Sequence, residues 1–113
     1  MKIMSHYSCC LLVDDGKILL SKELDLPTSG IKDGETTEKA AVRIASEAGV
    51  DAEIDRFFAL EFFSGKQIYT YLCKIKNIGR LSDEYNWYNV NDIENKQLSE
   101  NLSAIIDKIK VIL

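Results

Sequence analysis

Leu26-Pro27-Thr28-Ser29-Gly30-Ile31-Lys32-Asp33-Gly34-Glu35-Thr36-Thr37-Glu38-Lys39-Ala40-Ala41-Val42-Arg43-Ile44-Ala45-Ser46-Glu47-Ala48-Gly49-Val50 reads as a loop, a helix and a second loop. Pro27 opens a polar stretch that runs to Glu35, short enough and well enough bounded to be an ordered loop. Thr36 offers a hydroxyl as N-cap, and Glu38 stands in the first turn, where the positive end of the helix dipole favours an acid. Gly49 suits the left-handed residue just past the last turn. The spacing therefore predicts a helix over about 37–48. At about 100° per residue, Ala40, Ala41, Ile44, Ala45 and Ala48 share one arc, with Lys39, Arg43, Ser46 and Glu47 towards the opposite side. Alanines on the inner arc call for close packing against a sheet.

Outward from this helix the pattern is mostly β. Tyr7 to Val13 and Lys17 to Leu20 are β-prone runs separated by Asp14-Asp15-Gly16, a hairpin signal. Ala52 to Phe63 and Gln67 to Ile75 form a second hairpin around Ser64-Gly65-Lys66. On a two-residue period Phe58 and Phe62 share one face of their strand, and Tyr69 and Tyr71 one face of theirs, as core packing requires. Tyr85 to Val90 reads as a last strand, Asn91 as the cap of a brief helical turn, and Ser99 as the start of an amphipathic helix striped by Leu102, Ile105, Ile106, Ile109 and Leu113. No repeat or linker divides the chain, so residues 1–113 are expected to form one α+β domain with a mixed sheet between helices.

Composition limits the partners. Fourteen Lys and Arg against 18 Asp and Glu give a net charge of -4, with no broad basic footprint for a nucleic-acid polymer. The longest unbroken apolar run, Cys9 to Val13, is far short of the ~20 residues that span a bilayer, and no small-residue cleavage site follows a charged start; no membrane association and a cytoplasmic location are expected. Cys9, Cys10 and Cys73 match neither a disulfide framework nor zinc spacing and are expected as buried free thiols. His6, the only histidine, has no Ser or Cys at a telling spacing and is expected in a structural or surface role.

Pyrophosphate hydrolysis needs cations on the phosphoryl oxygens, hence carboxylates gathered around Mg²⁺, and acids three or four apart on a helix project from one face. Here the sequence resembles the Nudix hydrolases of the MutT-like kind. The resemblance rests on Leu26-Pro27, Gly30, Asp33-Gly34-Glu35-Thr36, Glu38, Ala40-Ala41-Val42-Arg43 and Glu47-Ala48-Gly49-Val50, with the strands and terminal helix in the family's order. It implies an α/β/α sandwich and Mg²⁺-dependent cleavage of a nucleoside diphosphate linked to another group.

Two alignments with the family's motif stay open. Anchoring on Glu35 and Arg43 puts Ile44 at the first helix metal ligand, Glu47 at the first acid of the Glu-Glu pair and Ala48 at the second. Anchoring on Gly49-Val50 makes Glu47 the second acid, with Ser46 and Arg43 at the other ligand positions. In either alignment Glu47 is the only helix ligand retained. The resemblance thus implies Glu47, Arg43 and Glu35 as catalytic candidates, and Glu47, Asp83 and Glu84 as metal candidates for Mg²⁺ or Mn²⁺. Gly30, Lys32 and Lys39 are the candidates for phosphate or cofactor contact. The missing acids favour a Nudix-fold protein with weak or lost catalysis, binding a nucleotide or phosphate ligand. The alternative is an active hydrolase with ligands relocated to Glu35, Glu47 and Asp83 or Glu84. Exposed edge strands leave room for a homodimer.

Overall fold

A computed structural model describes residues 5–113. Its elements are β1 (Ser5–Asp14), β2 (Lys17–Ser21), β3 (Thr28–Gly30), α1 (Thr37–Ala48), β4 (Val50–Phe63), β5 (Lys66–Ile78), β6 (Tyr85–Asn89), α2 (Val90–Ile93) and α3 (Glu100–Ile112). The sheet runs β4-β5-β1-β2-β6, with β3 pairing β1. β1 lies parallel to β5 and antiparallel to β2 and β3, so the sheet is mixed, as expected.

The apolar run of β1 is continuous because both of its faces are covered. Cys9 and Leu11 face the core formed with Leu102, Ile105 and Ile109 of α3. Cys10 and Leu12 face the core formed with Ala41, Ile44, Ala45 and Ala48 of α1. The buried arc of α1 is the one its periodicity predicts. Ala41 and Ala45 are fully buried against the sheet. A longer side chain at either would overpack that layer, typically at about 1–3 kcal/mol.

Both hairpins turn through two residues with positive φ, Asp15-Gly16 (51° and 75°) and Ser64-Gly65 (46° and 79°). These angles match the right-handed twist of the flanking strands. All three cysteines are free and buried. Burial pushes the Cys9 thiol up to about 12 and that of Cys73 to about 11. Exposed His6 stacks on Tyr69. Among the described residues no helix is long and apolar enough to cross a membrane.

Several local expectations need correction. The loop from Pro27 to Glu35 contains β3, which the sequence reading missed. Asn89 rather than Asn91 caps α2, its side chain accepting from the Asn91 N–H at 3.0 Å, so the last strand stops one residue before Val90. Leu113 is exposed rather than part of the α3 stripe. Phe58 and Phe62 do not share a face: Phe58 packs on the α3 side, whereas Phe62 pairs with Gln67 and is 57% exposed. A register shift between Phe57 and Ala59 inserts the extra residue that breaks the two-residue period. Tyr69 and Tyr71 both lie on the α1 side, as predicted.

Candidate functional site

α1 is fixed at both ends by its sequence. The Thr36 hydroxyl accepts from the Lys39 N–H at 3.1 Å, satisfying one of the free donors of the first turn. Tyr71 of β5 ties the same end to the sheet, its hydroxyl bonding Thr37 Oγ1 and donating to Glu38 Oε1 at 3.0 Å. At the other end Gly49 adopts φ 106° and its N–H returns to the carbonyls of Ala45 and Ser46. Its own carbonyl accepts from the Gly79 N–H (2.9 Å), and the Ala48 carbonyl from the Ser82 N–H (3.0 Å). The segment before β6 is therefore stapled to the C-terminus of α1.

This staple builds a cavity of about 320 Å³. One wall is α1, presenting Ile44, Glu47 and Ala48; facing it are Ser82, Glu84 and Tyr85, and Thr28 and Ser29 of β3 complete the lining. Residues 44, 47 and 48 stand on one face because they are three and four apart. They are also the three positions that the alignment anchored on Glu35 and Arg43 assigns to the helix ligands, here filled by an isoleucine, a glutamate and an alanine.

Arg43 organises the loop beside this cavity. Its Nε donates to Glu35 Oε2 at 2.7 Å, and its Nη2 to Glu35 Oε1 and to the Gly30 carbonyl, both at 3.0 Å. Its Nη1 donates to Glu47 Oε1 at 2.6 Å. Glu35 also accepts from the Lys32 N–H at 3.0 Å. The Arg43 guanidinium, with that N–H, holds the Glu35 carboxyl down to about 2, and Glu35 in turn raises Arg43.

Of the residues singled out from sequence, Arg43, Glu35, Glu47 and Gly30 thus form one connected group. Gly30 contributes its carbonyl; a Cβ there would meet nothing within 4 Å, so no close backbone approach requires the glycine. Lys32 enters through its main chain and Lys39 through the cap, and neither side chain lines the cavity. Glu84 lines the cavity opposite Glu47, whereas exposed Asp83 does not.

The donor set does not fit a divalent ion. Mg²⁺ demands several oxygen ligands in near-octahedral order. Both Glu35 oxygens are already bonded to Arg43, and Glu47 is bonded there too. Among the described residues no three His, Cys, Asp or Glu side chains converge as a metal cage requires.

A second cavity, about 240 Å³, opens at the start of α3, where Asn101 is lined up with Phe63, Ile68 and Lys66. Ser99 caps α3, accepting from the Leu102 N–H at 3.1 Å and donating to Asp25 Oδ1 at 2.6 Å. Asn101 is only 4% exposed; its Nδ2 donates to Cys9 Sγ at 3.8 Å, and its Oδ1 has no partner among the described residues. Sequence reasoning missed Asn101 and the hydroxyls of Thr28, Ser29 and Ser82. Thr28 and Ser29 lie in the loop before α1 and the others outside that stretch, and only tertiary contact brings them to their cavities.

No family model and no curated protein matches the chain. Solved structures do. A Nudix hydrolase from Nitrosomonas europaea superposes with a TM-score of 0.82 at 14% identity, covering 96% of this chain and 89% of that one. A Nudix-family hydrolase from Clostridium perfringens gives 0.80 at 16%, covering 97% and 98%. An ADP-ribose pyrophosphatase from Streptococcus suis gives 0.68 at 19%, covering 79% and 76%. At such identities the likeness concerns architecture alone: the chain has the Nudix fold.

Proposed function

We propose that this chain is a single Nudix-fold domain that binds a nucleotide or phosphate ligand, with Mg²⁺-dependent hydrolysis of nucleoside-diphosphate linkages weak or lost. One observation carries the reading: the α1 wall of the cavity presents Ile44, Glu47 and Ala48 where a hydrolytic site needs converging carboxylates. One helix carboxylate leaves a divalent ion mostly water-bound, too weakly held to polarise a phosphoryl oxygen or activate water. Arg43 supplies a fixed positive charge beside the wall, but a guanidinium cannot lower the pKa of a bound water as a metal does.

The ligand class is supported by the second cavity. Asn101 lines it, and a side-chain amide, with both donor and acceptor, is the kind of group that reads the edge of a planar heterocycle. Asp25 lines that cavity, and Thr28, three residues on, lines the α1 cavity, so the same short stretch of chain contributes to both. The likeness to an ADP-ribose pyrophosphatase points to the same class.

A second reading, an active enzyme with relocated ligands, draws on Glu84 sharing the cavity with Glu47. Against it stand the full engagement of Glu35 with Arg43 and the position of Asp83 outside the lining. Mn²⁺ titration of the native chain, Glu47→Gln and Ile44→Glu/Ala48→Glu, with turnover across a panel of nucleoside-diphosphate compounds, separates the two. The native chain and Glu47→Gln should bind Mn²⁺ alike and weakly without turnover, while the double variant should bind it on the order of tenfold or more tightly as ligand charge accumulates. Tight Mn²⁺ binding by the native chain that depends on Glu47 and accompanies turnover would overturn the proposal.

A further inference from the structure

The contacts of Arg43 differ in exposure. Nε and Nη2 point into the loop, towards Glu35, whose side chain is 14% exposed, and the Gly30 carbonyl. Nη1 reaches Glu47, whose side chain is 60% exposed and lines the α1 cavity. Two nitrogens therefore anchor the guanidinium, and the third meets the cavity only through Glu47, the one partner of Arg43 that lines it.

We infer that Glu47 is an internal anion competing with the phosphate end of a ligand for Arg43 Nη1, and thereby sets the phosphate affinity of the α1 cavity. This rests on the ligand-binding reading above. Carboxylate and phosphate oxygens seek the same N–H donors of a guanidinium fork. Glu47 is favoured by its tether and disfavoured by the weakness of an exposed i,i+4 pair, so an entering phosphate can displace it. Local charge sharpens the competition, because Arg43 is shared between Glu35 and Glu47 while Glu84 adds a further carboxylate to the cavity that Glu47 lines. Removing the Glu47 charge frees the donor and relieves part of the repulsion an anion meets.

The test uses inorganic pyrophosphate, in EDTA, titrated calorimetrically into the whole chain. Glu47→Gln and Glu47→Ala should each bind it on the order of tenfold more tightly than the native protein. The gain should vanish in Arg43→Gln/Glu47→Gln. Because Arg43 also holds the loop, side-chain NMR of Arg43 in the Glu47→Gln protein provides a readout that does not alter it: its N–H resonances should shift as pyrophosphate is added. Equal affinity in the native and Glu47 variants, a gain that survives loss of Arg43, or unmoved Arg43 resonances would each overturn the inference. Metal-dependent turnover would instead sink the earlier reading, so the two failures are distinguishable.

Discussion

Gly49→Ala offers a demanding test of how the cavity is built. A Cβ at Gly49 would lie 2.3 Å from the Arg80 carbonyl oxygen and 2.8 Å from Leu81 Cα. Both are backbone atoms that cannot rotate aside, so residues 79–82 must move. That movement strains the Gly79 to Gly49 and Ser82 to Ala48 hydrogen bonds, each worth about 1 kcal/mol net. The left-handed backbone at φ 106° adds about 1–2 kcal/mol for any residue with a Cβ. The sum is about 3–4 kcal/mol, a large part of the 5–15 kcal/mol typical of a domain. Urea unfolding followed by the fluorescence of Trp87, the sole tryptophan, measures the loss directly, and Tm should fall on the order of 10 °C or more. Gly30→Ala is the control: it has open space and no positive φ, and should change stability by no more than about 1 kcal/mol. Equal, small effects at the two glycines would refute the idea that the staple between α1 and the β6 approach holds Glu84 in the cavity.

Two further outcomes follow from titratable groups that folding desolvates. Burial raises the Asp25 carboxyl above its ordinary value, so the folded state prefers it protonated; its stabilising contribution is full below the ordinary carboxylate range and lost as pH rises through the raised value. Asp25→Asn retains an acceptor for Ser99 and should be more stable than the native protein at neutral pH, with the difference in Tm shrinking as pH is lowered towards 4; a constant difference would argue against it. With Cys9 and Cys73 pushed up to about 12 and about 11, and all three thiols buried, a thiol reagent at pH 8 should modify none of them in the folded protein and all three in urea; rapid modification of the folded chain would contradict the burial.

What could be read from sequence was local. The bounds of α1 follow from Thr36 and Gly49, its buried face from alanine spacing, and both hairpins from residues that tolerate positive φ. β3 escaped notice because three residues carry no period and become a strand only by pairing with Tyr7, Ser8 and Cys9. The opposite facing of Phe58 and Phe62 was hidden because a register shift is set by cross-strand partners. The site divides in the same way. Arg43 and Glu47 are legible through helical spacing, and Glu35 and Glu84 only through the family resemblance, whereas Ser82 and Asn101 reach their cavities through contacts between distant parts of the chain.

The parallel pairing of β1 with β5 joins Ser5 to Lys66 and Leu12 to Cys73, partners separated by more than half the chain. During synthesis the first strand leaves the ribosome long before its neighbour exists, and Cys9 to Leu12 stay uncovered on one rail until the β4–β5 hairpin emerges. Closure over such a span loses much chain entropy before native contacts compensate, which slows folding and prolongs the interval in which an apolar strand is open to other chains. The order of translation thus leaves the innermost strand of the finished molecule open along one edge in the nascent one.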